Sequence, residues 1–157
     1  MKRITLSALA AIAVFTLPAL ADPMEVTPLT IVSSDASHEF SVEIANDRDE
    51  ISFGLMERES MDPDTGMLFD FDPPREPAMY MKDTILPLDM FFIAENGAIE
   101  MIARNTVPGS LRTISAGVPV RAVLELNGGR AAELGIQPGD TVQHPIFGNV
   151  EAAAPAE

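Results

Sequence analysis

The chain has 157 residues, contains no cysteine, and carries 24 acidic against 10 basic side chains, a net charge of −14 at pH 7. Without cysteine no disulfide framework can form, so a folded domain must be stabilised by its core alone. The negative charge disfavours nucleic acid and anionic lipid as partners, because both would be repelled at long range.

The first 21 residues have the pattern of a secretory signal peptide. Lys2 and Arg3 precede an apolar run over residues 4–17, and the small-residue sequence ALA at 19–21 predicts cleavage after Ala21. The run is shorter than the ~20 residues that a membrane-spanning helix needs, so we expect a cleaved signal and no membrane span afterwards. We therefore expect a periplasmic or secreted protein, with 8 basic and 24 acidic residues and a net charge of −16 after cleavage.

Residues 22–150 consist of short segments rich in Val, Ile, Phe and Leu that Pro, Gly and Asp separate, which is typical of a mainly β domain. Eight strands are predicted, at residues 29–33, 38–45, 67–71, 78–83, 88–94, 98–105, 120–126 and 141–143. One short helix is predicted from the caps Asn46 and Asp47 to about Arg58, and a second over residues 130–134 before Gly135. The expected fold is a single compact β-sandwich or barrel-like domain, with a disordered tail at 151–157.

Two neighbouring hairpins are predicted in the middle of the chain. The sequence ENG at 95–97 is a turn pattern that joins strands 88–94 and 98–105. Strands 78–83 and 88–94 are expected to pair as well, which would place Lys82 opposite Asp89 on the same side of the sheet. Two interpretations of that pair remain open: an ion pair that fixes the hairpin register, or a polar point in a ligand pocket.

Five blocks of sequence, in order, resemble domain of unknown function family 192. They are GLM at 54–56, GMLF at 66–69, MKDT at 81–84 with PLD at 87–89, VLELNGG at 123–129, and LGI at 134–136 with GD at 139–140. The resemblance runs from about residue 44 to 142, and implies a compact β-rich domain, often exported, without an established activity. The chain has Tyr80 where the family usually has a tryptophan, and Ala122 where it often has an aromatic residue.

The resemblance also directs attention to a few side chains. Lys82, Asp89 and Glu125 are the polar members of otherwise apolar blocks, and are our candidate polar cluster. The candidate pocket-lining residues are Met56, Met67, Tyr80 and Met81.

The methionines permit an alternative hypothesis of a metal site, because thioether sulfur favours copper(I). Met79 and Met81 lie at alternate positions with other methionines nearby. Methionine more commonly fills gaps in a core, and neither His38 nor His144 lies in a ligand motif. We therefore predict no metal and no cofactor.

The function predicted from the sequence is that of an exported binding or accessory module without catalytic activity. Its partner would be a small molecule, a glycan or a protein. The alternatives are a periplasmic enzyme that uses a carboxylate and Lys82, and the methionine-based metal-binding protein. No nucleophile motif or histidine-rich metal motif favours a particular reaction.

Overall fold

The structure is a computed structural model that describes residues 24–150. It contains seven strands, two short α-helices and one 3₁₀ turn at Pro145–Phe147. The strands are β1 (Val26–Val32), β2 (Ser37–Ala45), β3 (Thr65–Arg75), β4 (Leu88–Ile93), β5 (Ile99–Ala103), β6 (Val120–Asn127) and β7 (Thr141–Gln143). The helices are α1 (Arg48–Phe53) and α2 (Arg130–Glu133).

All seven strands belong to one sheet, in the order β5-β4-β6-β3-β2-β1-β7. Neighbouring strands are antiparallel except β2 and β3, which run parallel and are connected through α1. Ala98, just before β5, forms a bridge with Thr141 of β7, so the two ends of the sheet approach each other. The sheet is therefore curled into a half-barrel, and the prediction of a mainly β, single, barrel-like domain is confirmed; the alternative of two stacked sheets is not what forms.

The curled sheet buries apolar side chains on both of its faces. The inner core contains side chains from all seven strands, including Leu29, Val42, Leu68, Phe91, Ile99, Leu124 and Val142. The outer core contains Met67, Phe69, Phe71, Met90, Phe92 and Val123, covered by Leu55 and Met81 from the segments outside the sheet. Because β3, β4 and β6 contribute to both cores, they lie in the middle of the sheet and are covered on each side.

Strand β4 is buried along its whole length. Leu88, Met90 and Phe92 face one core while Phe91 and Ile93 face the other, because successive residues of a strand point to opposite faces. The turn at 95–97 is also confirmed, because Gly97 has a φ of 90° and β4 pairs antiparallel with β5.

The predicted hairpin between residues 78–83 and 88–94 does not form. The two edges of β4 are taken by β5 and β6, so no edge remains for residues 78–83. That segment makes a single bridge, from Met79 to Ile114, and its end turns at Asp83, which has a φ of 52°. It covers the outer core instead of extending the sheet.

Helix α1 is shorter than predicted. Asp47 caps it by accepting from the backbone of Asp49 and Glu50, and the Glu50 side chain accepts in return from the Asp47 backbone. The helix ends at Gly54, whose φ of 52° favours glycine and breaks the helical path well before Arg58. Helix α2 lies where the sequence predicted it.

The predicted signal peptide, its cleavage site after Ala21 and the predicted tail at 151–157 lie outside the described residues. Between residues 24 and 150, no helix is long and apolar enough to cross a membrane.

Candidate ligand-binding pocket

A pocket of about 260 Å³ opens on the outer face of the sheet. One wall is residues 51–56, at the end of α1, and the other is residues 75–80, which begin with the last residue of β3. The lining is completed by Phe69 and Phe71 of β3, by Glu125 of β6, and by Thr84. We refer to this cavity as the Glu125 pocket.

Local backbone geometry positions the two walls. At Gly54 the chain passes so close to the sheet that an added Cβ would lie 3.0 Å from Cζ of Phe69. The backbone of Glu57 donates to the carbonyl of Asp83 at 2.9 Å, which connects the two chain segments that continue from the walls. The bridge between Met79 and Ile114 holds the second wall from its other side. Both walls are therefore anchored by main-chain hydrogen bonds as well as by side-chain packing.

Glu125 is the unusual residue of this pocket. It projects to the outer face, level with Met67 of β3 and Met90 of β4, and only 4% of it is exposed. Its carboxyl group makes no hydrogen bond within residues 24–150, and burial raises its pKa from the ordinary value of 4.5 to about 8. At neutral pH the group is therefore mostly protonated, because water no longer solvates the charge.

Asp89 contrasts with Glu125, although both carboxyl groups lie on neighbouring strands. Asp89 is fully buried, and its two oxygens accept from the backbone of Asn105 at 2.7 Å and of Ala131 at 2.8 Å. In the register of β4 with β6, Asp89 pairs with Leu126, whereas Glu125 pairs with Met90. Because successive residues point to opposite faces, Asp89 and Glu125 project to opposite sides of the sheet.

The predicted pairing of Lys82 with Asp89 is wrong. The Lys82 side chain is 56% exposed and its Nζ lies 3.5 Å from Oδ2 of Asp83. The partners of Asp89 are backbone amides, which the hairpin hypothesis could not supply because that hairpin does not form. The structure thus separates the three members of the candidate polar cluster and leaves Glu125 alone at the pocket.

Of the four candidate pocket-lining residues, two line the Glu125 pocket and two do not. Met56 and Tyr80 line the Glu125 pocket, and Tyr80 is 44% exposed at its opening. Met67 and Met81 are fully buried in the outer core and do not line it. Whether any of these residues contacts a ligand stays a prediction.

Several lining residues were not identified from the sequence. Phe69 was within a recognised block, but nothing local indicated that its ring would form part of a cavity. Arg75 stands at the pocket opening with its guanidinium carbon 4.5 Å from the centre of the Phe71 ring. Its position depends on the irregular register between β3 and β6, which no sequence pattern predicts.

A second cavity, of about 390 Å³, lies beside β1 and the 3₁₀ turn and includes His144. The ring of His144 is already engaged: Nε2 lies 2.9 Å from Oγ1 of Thr27, and Nδ1 accepts from the backbone of Ile146 at 3.4 Å. Burial lowers the pKa of His144. The histidine of this cavity is therefore hydrogen-bonded through both ring nitrogens, unlike the carboxyl group of Glu125.

No three His, Asp or Glu side chains in the described part of the chain are arranged to hold a metal ion. The Glu125 pocket instead has a mixed polar and apolar lining, in which the buried carboxyl group of Glu125 can donate a hydrogen bond when protonated or form an ion pair when ionised.

Two solved structures are similar to this chain. A protein from Sinorhizobium meliloti 1021, described as a "putative transcription regulator", has 42% identity and a TM-score of 0.77 over 79% of this chain and 97% of its own. A protein of unknown function from Novosphingobium aromaticivorans DSM 12444 has 36% identity and a TM-score of 0.76 over 85% of this chain and 94% of its own. No curated protein matches the chain at a significant level.

The model of domain of unknown function family 192 (DUF192), described as Uncharacterized ACR, matches residues 30–144. This range contains β2 to β7 and every residue that lines the Glu125 pocket. It confirms the resemblance that the five sequence blocks indicated. The chain therefore belongs to domain of unknown function family 192.

Proposed function

We propose that the protein is an exported binding module that holds a small ligand in the Glu125 pocket without transforming it. The observation that carries this proposal is the buried carboxyl group of Glu125, which borders the cavity and makes no side-chain hydrogen bond within residues 24–150. A buried polar group without a partner costs on the order of 1–3 kcal/mol of folding free energy. A ligand that bonds to the carboxyl group would offset that cost, whereas a purely structural role would not.

Asp89 provides the internal comparison for this argument. Its carboxylate is equally buried, but two backbone amides satisfy it and connect β4 to the start of α2. A carboxyl group that serves the fold is therefore fully bonded in this protein. Glu125 lacks such bonds and adjoins a cavity, which is the combination expected of a binding residue.

The size of the pocket favours a small molecule over a glycan or a protein segment. Its volume of about 260 Å³ lies just below the ~300–1,000 Å³ range of cavities that enclose drug-sized ligands. Export is supported by the basic start, the apolar run and the small-residue cleavage site of residues 1–21. We accordingly propose a periplasmic or secreted location.

The description of the Sinorhizobium meliloti protein does not lead us to propose a role in transcription for this chain. This chain has 24 acidic and 10 basic residues, and the resulting negative charge would repel nucleic acid. Proteins bind nucleic acid chiefly through Lys and Arg contacts to phosphate. The proposed export would also place the protein in a compartment without the chromosome.

A second candidate function is acid–base catalysis by Glu125. The raised pKa of this residue favours it, since catalytic groups work best when their pKa is near the working pH. Lys82, which the sequence-based enzyme hypothesis combined with a carboxylate, is exposed beside Asp83 and does not line the pocket. Such an enzyme would depend on Glu125 and on groups that the ligand brings.

The proposal can be tested by screening small fragments against the purified protein, with NMR observation of the methyl groups of Met56 and Met79. We expect some fragments to shift both signals, and expect Ala78→Trp, which narrows the opening, to prevent this. Leu111→Trp is the matched control, because Leu111 is 75% exposed and lies outside the pocket. Absence of any fragment binding that Ala78→Trp blocks would refute the proposal, and turnover of a bound compound that Glu125→Gln abolishes would favour the enzyme.

A further inference from the structure

We infer that the ligand of the Glu125 pocket is a small organic cation, an ammonium group on a short apolar or aromatic body, which forms an ion pair with the Glu125 carboxylate. This inference rests on the proposed function and specifies the chemical class of its ligand. Three features of the pocket support it: the single acidic group inside, the aromatic lining, and the charge of the surrounding protein.

The first feature is the distribution of charge in the lining. Residues 51–56 are all uncharged, and the cross-strand neighbours of Glu125 are the uncharged Met67 and Met90. The other titratable or charged side chains of the lining are Arg75, Glu76 and Tyr80. Arg75 and Glu76 have opposite charges, so ionised Glu125 gives the lining a net negative charge that a cation would neutralise.

The second feature is the aromatic lining. Phe69, Phe71 and Tyr80 border the pocket, and a cation over an aromatic face is attracted by the negative electrostatic potential of the ring. The protein already uses this attraction, because the guanidinium of Arg75 lies 4.5 Å from the Phe71 ring centre. The apolar body of an arylalkyl or alkyl amine would pack against the same rings.

The third feature is the long-range field. With a net charge of −14, the protein attracts cations and repels anions before contact. A carboxylate ligand would be repelled by ionised Glu125, and the basic residue of the lining, Arg75, has its guanidinium against the Phe71 ring. A neutral ligand could accept one hydrogen bond from Glu125, but it would gain neither the long-range attraction nor the ion pair with the carboxylate.

Binding of a cation has a proton balance that a neutral ligand lacks. Because burial raises the pKa of Glu125 to about 8, the empty pocket holds a proton at neutral pH. The incoming ammonium group replaces that proton, which leaves to solvent, so most of a proton is released per ligand at pH 7 and much less at pH 9. Affinity should rise about tenfold for each pH unit up to pH 8 and then level off while the ligand stays protonated.

The test is isothermal titration calorimetry of the purified protein with matched compounds: benzylamine, benzyl alcohol and benzoate, and the corresponding isopentyl series. Titrations at pH 7 in two buffers with different ionisation enthalpies measure proton release without any variant. We expect the amine to bind at least tenfold more tightly than its alcohol at pH 8, with proton release at pH 7. We expect Glu125→Gln to weaken amine binding at least tenfold and to abolish proton release, while Glu100→Gln, the same change at an exposed position outside the pocket, alters amine binding less than threefold.

The outcomes separate the two proposals. Equal or tighter binding of the alcohol or the carboxylate, or amine binding without proton release, overturns the cationic ligand class. If those neutral or anionic compounds still compete for the pocket and Ala78→Trp blocks them, the binding function stands. If no compound of any charge binds, this inference fails, and the wider fragment screen decides whether the proposed function fails with it.

Discussion

Replacing Glu125 with glutamine should change how the stability of the protein depends on pH. In the unfolded chain this carboxyl group has its ordinary pKa of 4.5, whereas burial raises the pKa in the folded protein to about 8. Between these values the folded state binds more protons than the unfolded state, so the free energy of unfolding falls as the pH rises. The contribution of Glu125 to stability is fully present below pH 4.5 and is lost by about pH 8.

The size of the effect follows from the two pKa values. Linkage gives a loss of roughly 3 to 4 kcal/mol between pH 5 and pH 8 for this one group. Glutamine has nearly the same shape but no charge to desolvate, so Glu125→Gln should not show this loss. The other carboxyl groups titrate alike in both proteins and cancel in the comparison.

Urea unfolding of the wild type and of Glu125→Gln at pH 5, 6.5 and 8 measures the difference. We expect the variant to gain relative to the wild type as the pH rises, by an amount on the order of several kcal/mol at pH 8. Glu76→Gln is the matched control, because Glu76 is exposed and should show no such divergence. Parallel pH profiles for the wild type and Glu125→Gln would refute the claim that this carboxyl group is desolvated and unpaired.

Two further predictions concern the fold around the pocket. Asp89→Ala should lower the free energy of unfolding by about 3–5 kcal/mol in chemical denaturation, because two buried amides lose a charged acceptor. Lys82→Met should lower it by less than about 1 kcal/mol. Similar losses for the two variants would contradict the separation of the two residues. Gly54→Ala should destabilise by about 1–3 kcal/mol through its positive φ and its contact with the Phe69 ring. Gly109→Ala, which has positive φ but open space around it, should cost less, and equal costs would exclude a role for the contact.

The sequence by itself determined the properties that depend on neighbouring residues. The alternation in β4, the turn at 95–97 and the stop of α2 before Gly135 are local patterns, and each matches the structure. The absence of disulfide bonds and the net negative charge likewise follow from the sequence without knowledge of the fold. The short β-rich segments predicted the fold class, and the resemblance to the family implied the same β-rich fold.

Only the tertiary structure decided what the charged residues do. The pattern of residues 78–83 is compatible with a strand, but pairing with β4 needs a free edge. Both edges of β4 are occupied, one by the adjacent strand β5 and the other by β6, which is distant in the chain. Asp89 therefore has backbone partners at Asn105 and Ala131 in place of Lys82. The strand register places Glu125 on the outer face of the sheet, opposite to Asp89. Residues far away in the sequence form the cavity beside it there. Local periodicity predicts which side chains share a face, but the burial and partners of each depend on long-range packing.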